Sequence, residues 1–475
     1  MWLTLALWAC VATDPDAPGE PSEAPLDPTG MLPSRPKPAS PALEDPVPAG
    51  ARIRWMLHGG GSEDDAVFAV FVEAANFGNI VTLGALPEGD PAIPAWDPYW
   101  RRLGARTATT VNTASLADGD DPALAAVVRE ADALFLRGGD QAAYVAQWFG
   151  HAVGDALVEA FDRGAVIGGS SAGCAILGER LYDASAGGVA AWEVLRNGRD
   201  PWLTFTDNPG FGVRGVITDT HVGERGRLPR LAVFLAHQQQ DRPDVRWQGL
   251  GIDTQTALFV REDRTGFVRG DGAVTLLRSG RATLTAGRPP DLRDVALWSL
   301  PEGYAIHLDA EDPVTSRPAS VIATARVPVS PFGETDLDGD WTGTNRLGSW
   351  QIEPWADPYA LLDGRLQVLP ADAVLPSAIV GARVWSDDET LETRLGGLLW
   401  GVAEGDGRMA IAMDEGMFAM SLEPRTLAVA PNQVALVVDA RTASHRGTRA
   451  TGWQVGALEG ARLHLVGDAE PLDLR

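Results

Sequence analysis

The chain of 475 residues contains a single lysine, Lys37, and it lies in a proline-rich stretch. Schiff-base chemistry, a Ser–Lys dyad and a phosphate-loop lysine therefore have no residue to carry them in a folded site. Cysteine is almost as scarce. Cys10 and Cys174 are the only two, which excludes a disulfide framework and a thiolate metal cluster. No apolar run approaches the length needed to span a bilayer as a helix. Positive charge is also in deficit, with 39 Lys and Arg against 64 Asp and Glu, a net charge of −25. Such a surface repels phosphate backbones, so no nucleic-acid partner is expected.

What remains is globular in composition, with 45% hydrophobic and 22% charged residues, and long enough for two domains and a tail. Residues 1–10 form an apolar leader ending Leu7-Trp8-Ala9-Cys10. It resembles the end of a bacterial lipoprotein signal, although the run is short and lacks a preceding basic residue. Residues 11–50 hold 11 prolines among Asp, Glu, Ser and Ala, a composition that cannot bury enough surface to fold and reads as an extended tether. Together these segments predict an exported protein, lipid-anchored through Cys10 at the cell envelope; an unstructured cytosolic leader is the alternative.

From Arg52 the pattern becomes alternating strands and helices. Apolar strands are expected at Ile53–Leu57, Ile80–Leu83, Thr107–Val111, Ala133–Leu136, Ala165–Gly168 and Val216–Thr218. Between them lie helical stretches near Glu63–Asn76, Trp96–Leu103, Asp121–Glu130, Ala142–Phe149, Gly154–Arg163 and Leu231–His237. This alternation predicts an α/β fold, a mainly parallel sheet flanked by helices, over residues 51–285. Ligand sites in such sheets lie at the carboxyl ends of the strands. Three Gly-rich turns fall there, at Leu57–Gly61, Arg137–Gln141 and Gly169–Gly173, together with Asp219-Thr220-His221.

Gly169-Ser170-Ser171-Ala172-Gly173 fits Gly-x-Ser-x-Gly, between a strand and an expected helix at Cys174–Glu179. A serine nucleophile needs this arrangement, because the tight turn exposes its hydroxyl and aims the following amide at a developing oxyanion. A plain structural turn is the alternative. Cys174, inside the helix, reads as a buried wall residue. Seven histidines are available as a base. His307, His445 and His464 lie outside the α/β region, and His237 sits in an apolar helix. His58 and His151 adjoin turns and stay open. His221 stands at a strand's carboxyl end, ahead of Arg225-Gly226-Arg227 and Arg230-Leu231, where it can reach a serine on a neighbouring strand.

Taken in order, Leu57–Gly61, Arg137–Gln141, Gly168–Gly173, Asp219–His221 with Arg225, Arg227 and Arg230, and Gly251-Ile252-Asp253 with Thr256-Ala257 resemble the motifs of the cyanophycinase-like serine peptidases, a family that includes aspartyl dipeptidases. The resemblance covers roughly residues 52–277. It implies a class I glutamine amidotransferase-like fold, with Ser171 as nucleophile and His221 as general base. It implies an oxyanion hole at the backbone of Gly139 and Ala172, and a substrate pocket lined by Asp140, Gln141, Asp219, Arg225 and Arg227. Arginines there would meet a substrate carboxylate. The family's acidic member lies between serine and histidine, which points to Glu193, with Asp183 as second choice. The implied activity is acyl-enzyme hydrolysis of aspartyl peptides, cyanophycin or a related β-linked polymer, with no metal or organic cofactor. Val222 replaces an aromatic residue common after the histidine, which alters the pocket wall. A catalytically inactive surface-binding protein on the same scaffold is the competing class, and an amidotransferase-like enzyme is a third.

Residues 286–475 carry no independent catalytic set and read as an accessory domain. Asp336–Asp340 begins like a calcium loop but has Leu347 where the twelfth position needs Glu, so a polar turn is the better reading. Ile411–Leu436 runs parallel to the stretch Gly251–Leu276 at an offset near 161, with Asp253/Asp414, Arg264/Arg425 and Thr265/Thr426 coinciding. Arg394-Leu395 echoes Arg230-Leu231 at an offset of 164, a register that sets Arg383 and Trp385 in the places of Asp219 and His221. The domain is thus either a degenerate second copy of the first or a β-rich addition with chance similarity. Assembly as a homodimer is left open.

Overall fold

Successive residues of a strand face opposite sides of its sheet, so a strand apolar at every position must be covered on both. Strand β4 (Ala133–Leu136) meets that condition outright; β5 (Val166–Ser170), β2 (Asn79–Gly84) and the end of β1 (Ile53–His58) are buried on both sides, while the edge strand β3 (Thr107–Asn112) is partly exposed. They run parallel in the order β1-β5-β4-β2-β3. The computed structural model describes residues 50–86, 96–278 and 280–318, and beyond these only separate segments between 321 and 473, chiefly the strands named below.

On one face, Val67, Phe68 and Phe71 of α1 (Asp65–Ala74) and Trp100 of α2 (Asp97–Arg102) pack on Met56, Ile80, Ala133 and Val166. The residues one position along, Leu57, Val81, Leu134 and Ile167, face the other layer. That layer contains α3 (Leu116–Gly119), α4 (Pro122–Arg129), α5 (Gln141–Trp148) and α6 (Ala152–Arg163), with Val128, Trp148, Val153 and Leu157 buried. Asp64, Asp121 and Asp140 start α1, α4 and α5 by accepting from backbone amides two residues on.

A second sheet begins after the short helix α7 (Ala172–Ala175), the ribbon β6 (Arg180–Tyr182) with β7 (Phe205–Asp207), and α8 (Ala191–Arg196). It opens with β8 (Val216–Thr220). Then α9 (Leu228–Asp241) leads to β9 (Gln248–Ile252), which pairs parallel with β8. The hairpin β10 (Thr256–Arg261) and β11 (Thr265–Gly270) returns to the first sheet beside β1. Next, β12 (Ala273–Arg278), β13 (Arg281–Thr283) and β14 (Asp291–Pro301) extend the second sheet, while β15 (Ala305–His307) and β16 (Val314–Ser316) extend the first. The first sheet therefore has nine strands, five of them the parallel set. The α/β class expected from the sequence is the one observed.

The remaining described strands are β17 (Val321–Ala323), β18 (Gly348–Ile352), β19 (Val368–Pro370), β20 (Leu375–Ala382), β21 (Met409–Met413), β22 (Ala419–Ser421), β23 (Thr426–Val429), β24 (Ala435–Asp439), β25 (His445–Arg449), β26 (Val455–Val466) and β27 (Leu472–Asp473). Eight of them join the second sheet, whose main order is β19-β18-β20-β21-β24-β26-β14-β12-β9-β8.

Several expectations change. Residue 285 lies in the turn of the β13–β14 hairpin. The helix after Ser171 is one turn, not Cys174–Glu179, since the chain must leave it to form β6. Ser171 and His221 also do not share a sheet: β5 lies in the first and β8 in the second. Cys10, the 11–50 tether apart from Gly50, the Asp336–Asp340 turn, Arg383, Trp385, Arg394, Asp414 and Arg425 lie outside the described residues.

Candidate active site

The end of β1 ties the two sheets together. His58 carbonyl oxygen accepts from the Ser171 amide at 3.1 Å, and the next carbonyl, Gly59, accepts from the His221 amide at 3.1 Å. Both residues are thereby held in left-handed backbone, Ser171 at φ 51° and His221 at φ 54°. Ser171 has ψ −118°, a sparsely populated conformation that turns its side chain out of the strand. Two glycines make room. A Cβ on Gly60, at φ 110°, would stand 2.3 Å from the His221 ring, and one on Gly173 would stand 2.0 Å from the Leu136 carbonyl oxygen. Below the turn, His58 Nδ1 accepts from the Gly60 amide and lies 3.0 Å from Ser170 Oγ, fixing Ser170 inward while Ser171 faces out.

Ser171 Oγ lies 2.8 Å from His221 Nε2. On the far side of the ring, Nδ1 lies 2.7 Å from Glu224 Oε2. A carboxylate can only accept, so Nδ1 carries the proton and Nε2 is left to accept from the serine hydroxyl. Thr254 Oγ1 donates to the same Glu224 oxygen and lies 3.2 Å from Nδ1. Burial works to raise the Glu224 carboxyl, but the hydrogen bonds from His221 and Thr254 and the nearby positive charges overcome it and hold the group at about 2. Burial pushes His221 below its ordinary 6.5; its bond to Glu224 opposes this, and the charges of Arg225 and Arg227 add to it. The imidazole is therefore neutral at neutral pH, as a proton acceptor must be.

The loop carrying Glu224 is anchored from beneath. Asp253 Oδ1 accepts from the Gly223 amide at 2.7 Å and Oδ2 from the Ala273 amide at 2.9 Å. Complete burial drives this carboxyl up to about 6 against those two bonds.

Of the residues predicted from the sequence, the fold brings together Ser171 and His221; Ala172 follows the serine, and Gly139 follows Gly138, which lies against Ser171. Among the described residues neither the Gly139 nor the Ala172 amide is paired with an acceptor, and a Cβ on Gly138 would touch Ser171 Cβ at 3.4 Å. Asp140 caps α5 at the exposed rim and Gln141 follows it, half-buried. Arg225 and Arg227 are half-buried beside His221, with Arg227 donating to the Thr220 carbonyl.

Two assignments are corrected. Glu193 accepts from the Ala190 amide and closes the first turn of α8, and Asp183 accepts from Thr204, Thr206 and the Ser185 amide. Neither holds His221; the carboxylate that does, Glu224, is three residues past the histidine. Asp219 is not a pocket residue either. Its side chain is 3% exposed and accepts from Arg230 Nη2 at 2.6 Å and Nε at 2.8 Å, a buried pair whose arginine also holds the Val189 carbonyl. Cys174 is fully buried with its thiol pushed up by burial, so it is no rival nucleophile. Among the described residues no three His, Cys, Asp or Glu side chains gather as a metal site, and no helix is long and apolar enough to cross a membrane.

A hydroxyl, a neutral imidazole and a carboxylate in line, beside two amides, make up an acyl-transfer site. Comparison with known proteins agrees with that chemistry. The model of peptidase family S51 matches residues 102–268, which include the Gly138-Gly139 turn, Ser171, His221 and Glu224. Over this region the chain is similar to the cyanophycinase-like peptidases of family S51. The cyanophycinase of Synechococcus elongatus is 28% identical over 268 residues, 54% of this chain and 72% of that protein. The cyanophycinase of Geminocystis herdmanii is 26% identical over 226 residues, 47% of this chain and 72% of that one. The crystal structure of a peptidase from an acI-B1 Actinobacterium superposes at 18% identity and a TM-score of 0.36, covering 54% of this chain and 97% of that one.

Reading by sequence missed Glu224 and Thr254 and gave Asp253, part of the Gly251-Ile252-Asp253 motif, no role. The i to i+3 spacing of His221 and Glu224 was the available signal, but it becomes informative only once the 221–225 turn, closed by the Arg225 amide on the His221 carbonyl, is known.

Proposed function

We propose that this chain is a serine-type hydrolase of aspartyl peptides or β-linked aspartyl polymers, working through an acyl-enzyme on Ser171. The reading rests on the 2.8 Å contact between the Ser171 hydroxyl and a neutral imidazole whose other nitrogen is held by a carboxylate. As Oγ attacks the scissile carbonyl carbon, its proton passes to His221 Nε2. Glu224 stabilises the imidazolium that results, and Thr254 keeps the carboxylate in place. The amides of Gly139 and Ala172 receive the oxyanion. His221 returns the proton to the leaving nitrogen, the C–N bond breaks, and water drawn by the same imidazole then releases the acid and frees Ser171.

The substrate class is supported by the half-buried Arg225 and Arg227 beside the imidazole and by the activity named for the relatives. A substrate carboxylate would relieve two like charges held near one another. Export and lipid attachment at Cys10 complete the reading; Cys10→Ala should move the protein from the membrane to the soluble fraction, and unchanged partitioning refutes attachment.

The test is labelling by a serine-directed fluorophosphonate. Labelling that disappears in Ser171→Ala supports the reading, whereas labelling retained in that variant, or absent from the unaltered protein, refutes it. Product analysis with cyanophycin and a panel of aspartyl and isoaspartyl dipeptides then decides the substrate. Labelling without any cleavage keeps the chemistry and removes the substrate class.

A further inference from the structure

We propose that this chain is a dimer fused into one polypeptide: the C-terminal lobe is a shortened copy of the catalytic lobe, and its strand β26 takes, along β14, the place of a second subunit. The proposal stands on strand pairing and is independent of what Ser171 does.

The two lobes pair their strands in the same registers. In the β10–β11 hairpin Leu258, Phe259 and Val260 oppose Val268, Phe267 and Gly266. In the β22–β23 hairpin Ala419, Met420 and Ser421 oppose Val429, Ala428 and Leu427, each residue 161 positions further along. Gly251 opposes Thr275 between β9 and β12, and Ala412 opposes Leu436 between β21 and β24, again 161 on. The neighbours on either side agree. Asp219 pairs with Gly251 in parallel as Gly381 pairs with Ala412, and Thr275 opposes Ser299 as Leu436 opposes Leu465. Thr265 opposes His307 as Thr426 opposes Asp473. A chance β-rich addition has no reason to keep a register, since a slip of one residue reverses every side chain.

The contact between the lobes is itself symmetric. Strands β14 and β26 correspond at an offset of 166. Leu292 opposes Leu465, and the equivalent exchange, Ser299 opposing Leu458, is also present. Val295 opposes Leu463, and its image, Leu297 opposing Ala461, is present too. Ala296 opposes Arg462, a pair that is its own image and so marks the axis. Even the bulges correspond: Asp294 at φ 57° and Gly460 at φ 72° are the left-handed residues of the two strands. Trp298 opposing Glu459 lacks its image, but the other five pairs recur with the partners exchanged, the signature of a two-fold between like subunits.

Among the described residues the second lobe has strands matching β8–β15 but none matching the parallel set that includes β5. The register sets Gly381, not Arg383, in the place of Asp219. What this lobe does keep is the edge. An unpaired β14 would offer a long row of amides and carbonyls to any other chain, and β26 closes it with Leu463, Leu465 and Ala461 buried. The two-fold thus used inside the chain leaves no equivalent edge for a second copy.

Sedimentation equilibrium of the full chain, from dilute to its highest soluble concentration, tests this. The expected result is one species of 50.4 kDa, a single chain; a two-chain particle overturns the proposal. Hydrogen exchange on the same protein gives a second reading. Amides of β14 should be protected as strongly as those of β12, and rapid exchange along β14 beside a protected β12 also overturns it.

Discussion

Ser171 and His221 stand at the ends of strands in different sheets, yet their side chains meet at 2.8 Å and their amides are held by the consecutive carbonyls of His58 and Gly59 where β1 ends. Both have positive φ, a conformation that costs an L residue about 1–3 kcal/mol. The strain is maintained because the surrounding turn over-determines it, and it aims the hydroxyl at the imidazole.

Two variants separate chemistry from strain. Ser171→Ala and Ser171→Gly should both lower kcat by about 10⁴-fold or more. Ser171→Gly should be more stable than Ser171→Ala by about 1 kcal/mol in denaturant unfolding, because glycine takes this backbone without cost. Equal stabilities would show the turn to be unstrained.

Replacing the carboxylate at Nδ1 tests the relay. Glu224→Gln keeps an acceptor but loses the charge and the tautomer control, so kcat should fall by about 10²–10⁴-fold with KM little changed. Glu193→Gln, at the start of α8, should leave kcat near the unaltered value. The reverse pattern would restore the acid expected from the sequence.

Glu224 shows where legibility stopped. The Gly-x-Ser-x-Gly turn and the histidine at a strand end could be found because apolar runs and glycines mark backbone geometry. The choice of carboxylate depends on which way a side chain leaves a turn, and that direction has no sequence signature. Asp219 failed for the opposite reason: its place at the strand end was right, but Arg230, one helical turn into α9, pulls it inward.

The pH profile follows from burial. In the proposed mechanism His221 acts as the neutral base, and its proton affinity is depressed, so kcat/KM should rise with pH along a limb centred below 6.5. Arg225→Gln removes a like charge, makes protonation easier and should move that limb upward. A limb that stays in place would separate Arg225 from the imidazole.

Asp219→Asn leaves Arg230 as an uncompensated buried charge. The expected loss is about 3–5 kcal/mol in chemical denaturation. A raised KM with unchanged stability would instead return Asp219 to the pocket.

Asp253→Asn replaces one of two acceptors by a donor facing an amide, at a cost of about 1–3 kcal/mol. The carboxyl is raised from 3.8 to about 6, so its ionised form weakens the fold above 6 and that penalty fades as pH falls toward 3.8. The gap between native protein and variant should therefore widen on acidification; denaturant midpoints at neutral and mildly acidic pH measure it.

By itself the sequence determined the α/β alternation, the nucleophile turn, the histidine and the numerical offset of the repeat, because periodicity and glycine placement are local properties of the chain. Tertiary structure alone decided which carboxylate orients the imidazole, which acid is buried in an ion pair, and that two sheets rather than one supply the site. It also decided that β14 pairs with β26. Those outcomes depend on contacts between residues far apart in the chain, and the direction of a side chain across such a contact is set by packing, not by its neighbours in sequence.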